Sequence, residues 1–96
     1  MLDSFLMSVT AKFKNKSYRI QLTDHAQARM IERDVSERLL VTIVETGIVK
    51  PKPKQDRAFW VFTTIPDRAD NLICVSLVIE DSDLVIKTVL INWRPL

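Results

Sequence analysis

Three runs toward the C-terminal end leave this chain little freedom in how it folds. AFWVFTTI (58–65), LICVSLVIE (72–80) and LVIKTVLINW (84–93) are rich in β-branched and aromatic residues, which fit a pleated, half-buried surface. EDSD (80–83) reads as a hairpin turn between the last two. No helical stretch separates the runs, so an antiparallel meander is expected. Just before them, IVKPKPK (48–54) cannot be a central strand, because proline has no N–H to donate to a ladder. It reads as an edge strand or a loop.

The first half of the chain has a different grain. FLMSVTAKF (5–13) alternates imperfectly and reads as a first strand; KNKS (14–17) is a polar turn; YRIQL (18–22) alternates Tyr18, Ile20 and Leu22 as a second. Thr23 or Asp24 fits as an N-cap for a helix running to about Arg33. Asp34 tolerates the left-handed conformation of a tight helix stop. Ser36 caps a second helix, with Glu37 in its first turn and an apolar stripe of Leu39, Leu40, Ile43 and Val44. Gly47, the one glycine of the chain, stands where a C′ glycine belongs. The expected architecture is α+β: N-terminal strands and a helical hairpin packed on a curved antiparallel sheet of about four strands.

Size and composition narrow the function. Ninety-six residues, 47% hydrophobic and 27% charged, read as a single domain spanning 1–96. With one histidine and one cysteine the chain cannot assemble a Cys/His zinc site of four ligands, and no metal or cofactor is expected. Cys74 lies inside an apolar run and reads as a core filler. Residues 1 to 16 carry no cationic stretch followed by an apolar run, and no stretch approaches the ~20 apolar residues of a membrane span. A soluble cytoplasmic protein without membrane contact is the expectation. Net charge is +2, yet residues 12 to 57 hold eleven Lys/Arg against six Asp/Glu, while residues 67 to 83 hold one against five. A positive half suits phosphates; chance clustering gives the same tally.

The first helix holds the most pointed feature. HAQARMIER (25–33) sets His25, Arg29 and Arg33 four residues apart, at roughly 0°, 40° and 80° around the axis. Ala26, Ala28, Met30 and Ile31 occupy most of the opposite arc, so the helix can bury one side and keep this row at an edge. An ordinary solvated face explains the row equally well: Arg29 and Glu32 stand at i, i+3, a pair contributing only ~0.2–0.5 kcal/mol. The functional reading rests on chemistry. An imidazole takes or gives a proton near neutral pH, and guanidinium groups present planar donor forks to phosphate oxygens. A base, fixed cations and no metal ligands are the parts of metal-independent RNA cleavage, in which a 2′-hydroxyl is activated and phosphate charge is stabilised.

LTDHAQARMIERDVSERLLVTIVETG (22–47) resembles the signature of a family of small bacterial domains, domain of unknown function 4258. Thr23, His25, Ala26, Arg29, Met30, Arg33, Ser36 and Gly47 match its pattern position by position. That family is similar in outline to RelE/ParE and BrnT-type toxins, whose sheet-plus-helix domains include ribonucleases. The resemblance implies an RNase-type or toxin-type role carried by His25, Arg29 and Arg33, with RNA, the ribosome or an antitoxin protein as partner. Three departures qualify it. Asp34 and Val35 replace the usual Gly-Ile. No tyrosine stands on the last strand, on which Lys87 and Thr88 lie, and residues 1 to 16 lie outside the motif.

KPKPKQDR (50–57) presents Lys50, Lys52, Lys54 and Arg57 on a stiff segment that can follow a phosphate chain. Lysine and proline are also what an edge strand uses against aggregation. Phe59, Trp60 and Phe62 suit either unpaired bases or the core, and Trp93, beside Arg94, is a stacking platform or a lid over the sheet end. Two function classes fit. One is an RNA-binding, metal-independent endoribonuclease with His25, Arg29 and Arg33 at its centre. The other is a non-catalytic interaction module that pairs with an antitoxin-like protein or a second copy.

Overall fold

A computed structural model describes residues 4–65 and 72–93, and the side chains from residue 10 onward. Arg94 and part of the acidic stretch 67–83 lie outside the described residues. In chain order the elements are β1 (Ser4–Phe13), β2 (Lys16–Thr23), α1 (Asp24–Glu32), α2 (Glu37–Thr46), β3 (Ile48–Pro51), β4 (Ala58–Thr64), β5 (Leu72–Glu80) and β6 (Asp83–Ile91).

Local chemistry explains most of these boundaries. The first hairpin turns on Lys14 and Asn15 alone, both with positive φ (53° and 69°), so the turn is tighter than the four residues of KNKS. Thr23 is extended (φ −71°, ψ 160°) and its hydroxyl accepts the Ala26 N–H at 3.0 Å, which starts α1. Asp34 adopts φ 53°. The Asp34 N–H donates to Ile31 (3.3 Å) and the Val35 N–H to Met30 (2.9 Å), closing the helix as a Schellman motif with aspartate in glycine's place. The Ser36 hydroxyl accepts from the Leu39 N–H at 3.1 Å to open α2.

Gly47 departs from its expected role. Its φ of −73° and ψ of 172° are open to any residue, so handedness is not what calls for glycine. Space is. A Cβ there would stand 2.6 Å from the Ile43 carbonyl oxygen, 2.9 Å from Val61 Cγ1 and 3.0 Å from the Phe62 carbonyl oxygen.

The meander β4–β5–β6 forms as expected, and IVKP becomes the edge strand β3. Among the described residues, however, the sheet has six strands rather than about four, in the order β1-β2-β6-β5-β4-β3, and it is not wholly antiparallel. β2 runs parallel to β6, with Arg19 through Leu22 opposite Asp83 through Ile86. The helical hairpin and the strands after it act as a crossover that returns the last strand beside the second. Arg19 Nε and Asp83 Oδ1, 2.9 Å apart, mark the start of that pairing.

Both helices pack on one face, over a core that includes Phe13, Ile20, Leu22, Ala26, Met30, Leu40, Ile43, Val61, Val75, Leu77, Ile86 and Val89. The apolar arc expected for α1 is only half used. Ala26 and Met30 are buried, but Ala28 is exposed and Ile31 is 82% exposed. The helix is rolled so that its His/Arg row turns toward the sheet. The parallel pairing is short, and this accounts for the roll. β2 ends at Thr23, so among the described residues β6 beyond Ile86 has a strand partner on one side only.

Candidate functional site

An unpaired strand edge needs donors for its carbonyls, and the two cap residues of α1 supply them. The Thr23 hydroxyl lies 3.1 Å from the Ile86 carbonyl oxygen and 3.2 Å from that of Lys87, so one proton serves this pair of acceptors. Arg33 Nη1 donates to the carbonyl of Val89. His25 Nε2 lies 3.0 Å from Thr88 Oγ1. Arg29, between them in sequence, pairs with Glu32 at 2.8 Å on the same helix, and its Nε is buried without an acceptor. The row HAQARMIER therefore lies along the open edge of β6, with His25 and Arg33 gripping consecutive residues.

His25 and Arg33 differ in which side of the sheet they serve. Arg33 binds main chain. Thr88 is paired with Ser76, which is paired with Trp60, which is paired with Lys50. Residues directly opposite on neighbouring strands share a face, and in the alternate positions Val49, Val61, Val75 and Val89 the valines of β4–β6 belong to the helix-side core. Thr88, Ser76 and Trp60 consequently face away from the helices. His25, exposed at the start of α1, reaches around the edge of β6 to the end of this row.

Of the four cations expected in KPKPKQDR, the structure brings Lys52 to the row. Its Nζ donates to Ser76 Oγ and lies 5.6 Å from the Trp60 ring centroid. Lys50 stands in the same cross-strand row on β3. Lys54 and Arg57 stay in the exposed turn between β3 and β4, both at positive φ, 62° and 61°. Burial holds the Lys52 amine below its ordinary pKa; Cys74 opposes this and the nearby Lys87 ammonium adds to it. Burial pushes the Cys74 thiol up to about 12, outweighing Lys52 and a Val61 backbone hydrogen bond. Cys74 is 0% exposed and inert, as a core residue should be.

Beside the polar row stands an aromatic wall. Trp93 packs against Trp60 (5.6 Å between centroids) and Phe62 (4.8 Å), and all three rings are half-buried. Phe59 turns to the other face, into the core against Phe13. Strand alternation thus divides AFWVF, which looked apolar throughout, into core residues and an open face. Sequence reasoning passed over Ser76, the buried polar residue of the described core at 4% exposure. Its signal was faint: a lone hydroxyl in an apolar run. Thr88 was visible only as a polar group on the last strand.

Among the described residues no group of three or more His, Cys, Asp or Glu is placed to hold a metal ion, and no helix is long and apolar enough to cross a membrane. A separate cleft of about 430 Å³ opens at the α1–α2 corner, lined by Leu22, Gln27, Met30, Ile31, Val35 and others, far from the Ser76–Thr88 row in character as well as in lining.

The profile of one sequence family, described as a domain of unknown function (DUF4258), matches residues 22–91, well over half of the chain. This chain belongs to the DUF4258 family. The match begins at Leu22, just before the Thr23 cap, and ends at Ile91, the last residue of β6. It therefore spans the DUF4258 elements that build the site, from α1 through the meander, and leaves β1 and most of β2 outside. No curated protein and no solved structure matches the chain.

Proposed function

We propose that this domain binds RNA and cleaves it without a metal ion, as a toxin-like endoribonuclease. His25 acts as the acid/base, with Arg29 and Arg33 as the cations behind it and Lys50, Lys52, Lys54 and Arg57 adding affinity for the backbone. The observation that carries the reading is the contact of His25 Nε2 with Thr88 Oγ1 at 3.0 Å. It brings the chain's one imidazole to a sheet face that also holds Lys52, Ser76 and Trp60. An exposed imidazole fixed through one ring nitrogen is positioned for proton transfer to a ligand on that face. Nearby ammonium groups suit the charge that builds on a cleaved phosphate.

The test is cleavage of a labelled RNA pool in the presence of chelator by the parent protein and by His25→Ala. The variant is expected to lose cleavage and to keep most of its RNA affinity, with binding that weakens steeply as salt rises. A His25→Ala protein that cleaves as fast as the parent removes His25 from the chemistry.

A second reading, a non-catalytic interaction module, is favoured by a different observation. Ile31 is 82% exposed on the rim of the α1–α2 cleft, and Ile48 is 64% exposed on the edge strand β3. Edge strands recruit strands, and apolar clefts recruit apolar side chains. A solution mass of twice the monomer, lost on Ile31→Glu or Ile48→Lys, together with no RNA affinity, would select this reading over the first.

A further inference from the structure

We infer that the face of the sheet turned away from the helices binds an unpaired nucleotide of a single-stranded RNA, its base on Trp60, Phe62 and Trp93 and its phosphate on Lys52. The inference rests on the RNA-binding half of the proposed function and goes beyond it by naming the form of RNA and the residues that read it. Three observations carry it.

The rings lie outside the helix-side core and are in part exposed. Trp60, Phe62 and Trp93 contact one another at 4.8–5.6 Å, stay half-buried, and lie on the side of the sheet that neither helix covers. Base–aromatic stacking takes place on such platforms and tolerates any base, because every base has a π-face.

The cations beside the rings are crowded. Lys52 is drawn over the Trp60 ring to the Ser76 hydroxyl, with Lys87 close enough to disfavour its charge further. Desolvation and a like charge both work against this arrangement. A phosphate bound to the Lys52 ammonium would offset both with an opposite charge.

The spacing joins this surface to His25. Trp60 on β4, Ser76 on β5 and Thr88 on β6 are successive members of one cross-strand row, so Trp60 and Thr88, the residue that holds His25, stand about two strand spacings, roughly 10 Å, apart. A single-stranded nucleotide can lay its base on the rings with its backbone running toward that edge. A duplex cannot do this, since its bases are already stacked on each other.

Trp60 and Trp93 are the two tryptophans of the chain, so intrinsic fluorescence reads the surface directly. The experiment titrates His25→Ala protein, in which cleavage does not interfere, with a twelve-nucleotide single-stranded RNA and with the same strand in duplex. The single strand is expected to quench saturably and the duplex to bind at least tenfold more weakly. Trp60→Leu should weaken binding roughly tenfold or more. Lys52→Met should make the slope of log K against log salt shallower by about 0.7. Trp60→Phe and Trp93→Phe, each keeping a smaller ring, should lose less affinity than Trp60→Leu and report on the remaining tryptophan, which covers the case of a Trp60→Leu protein that does not fold. Equal affinity for strand and duplex, or no quenching in either single-tryptophan variant, overturns the inference. RNA that quenches the rings yet is not cleaved by the parent leaves this site standing and ends the nuclease reading. Cleavage without any ring response does the reverse.

Discussion

Replacing Gly47 by alanine isolates one steric fact. The backbone at this position is extended, with φ −73° and ψ 172°, so alanine meets no conformational barrier. By restricting the unfolded chain it should even stabilise by ~0.4–1 kcal/mol. Against that, the new Cβ would sit 2.6 Å from the Ile43 carbonyl oxygen, 2.9 Å from Val61 Cγ1 and 3.0 Å from the Phe62 carbonyl oxygen. Two of these neighbours are main-chain atoms, one in the last turn of α2 and one in β4, and neither can rotate away. The Ile43 carbonyl also accepts the Gly47 N–H at 2.7 Å, so moving aside strains the bond that ends the helix. Overpacking of this kind costs ~1–3 kcal/mol, and weakening the capping bond adds up to ~1 kcal/mol. The net expectation is a loss of about 1–3 kcal/mol, a Tm lowered by roughly 5–20 °C for a domain of this size. Urea titration of Gly47→Ala should show a lower midpoint at unchanged m-value. A variant as stable as the parent, or more stable, would mean that the α2–β3 junction relaxes freely and that glycine is there for some reason other than close approach.

Thr23→Val keeps the shape of the side chain but removes the N-cap acceptor for Ala26 and the donor to the β6 carbonyls; a loss of ~1–2 kcal/mol in thermal or denaturant unfolding is expected. Arg33→Met withdraws a donor from the Val89 carbonyl. Stability should fall by about 1–2 kcal/mol, whereas a residue serving only as a phosphate ligand would lower RNA affinity and leave the melt unchanged. Cys74 should resist alkylation at pH 8 in the folded protein and react fully in denaturant, because its thiol is buried and ionises only near 12. The folded thiol keeps its proton where the unfolded one, at 9.0, has lost it. Its contribution to stability is therefore complete below pH 9 and declines as pH rises toward 12, which Cys74→Val should remove from an alkaline melting series.

Local rules account for what could be read without coordinates. Caps and turns depend on residues three or four apart, so Thr23, Asp34 and Ser36 announce their roles in sequence, and the paired runs 72–80 and 84–93 announce a hairpin. Burial along α1 depends on which way the helix is rolled, which no local rule sets. Its own periodicity allowed Ile31 inside, but the bare edge of β6 pulled the His25/Arg33 side inward instead. The count of strands and the parallel β2–β6 pair were equally out of reach, since pairing of Leu22 with Ile86 joins residues that share no local signal.

The candidate site divides along the same line. The chain by itself determined the helical hairpin, the spacing of His25, Arg29 and Arg33, the edge character of the Pro-Lys segment and the apolar setting of Cys74, because each follows from neighbours within a turn or a pleat. Only the tertiary structure decided that Lys52 turns onto Ser76. It also decided that Ser76 stands opposite Thr88, that Thr88 meets His25, and that Trp60, Phe62 and Trp93 share an open face. Those meetings are set by strand register. One residue of slip would send every side chain of a strand to the other face, and register is chosen by the whole core packed against both helices.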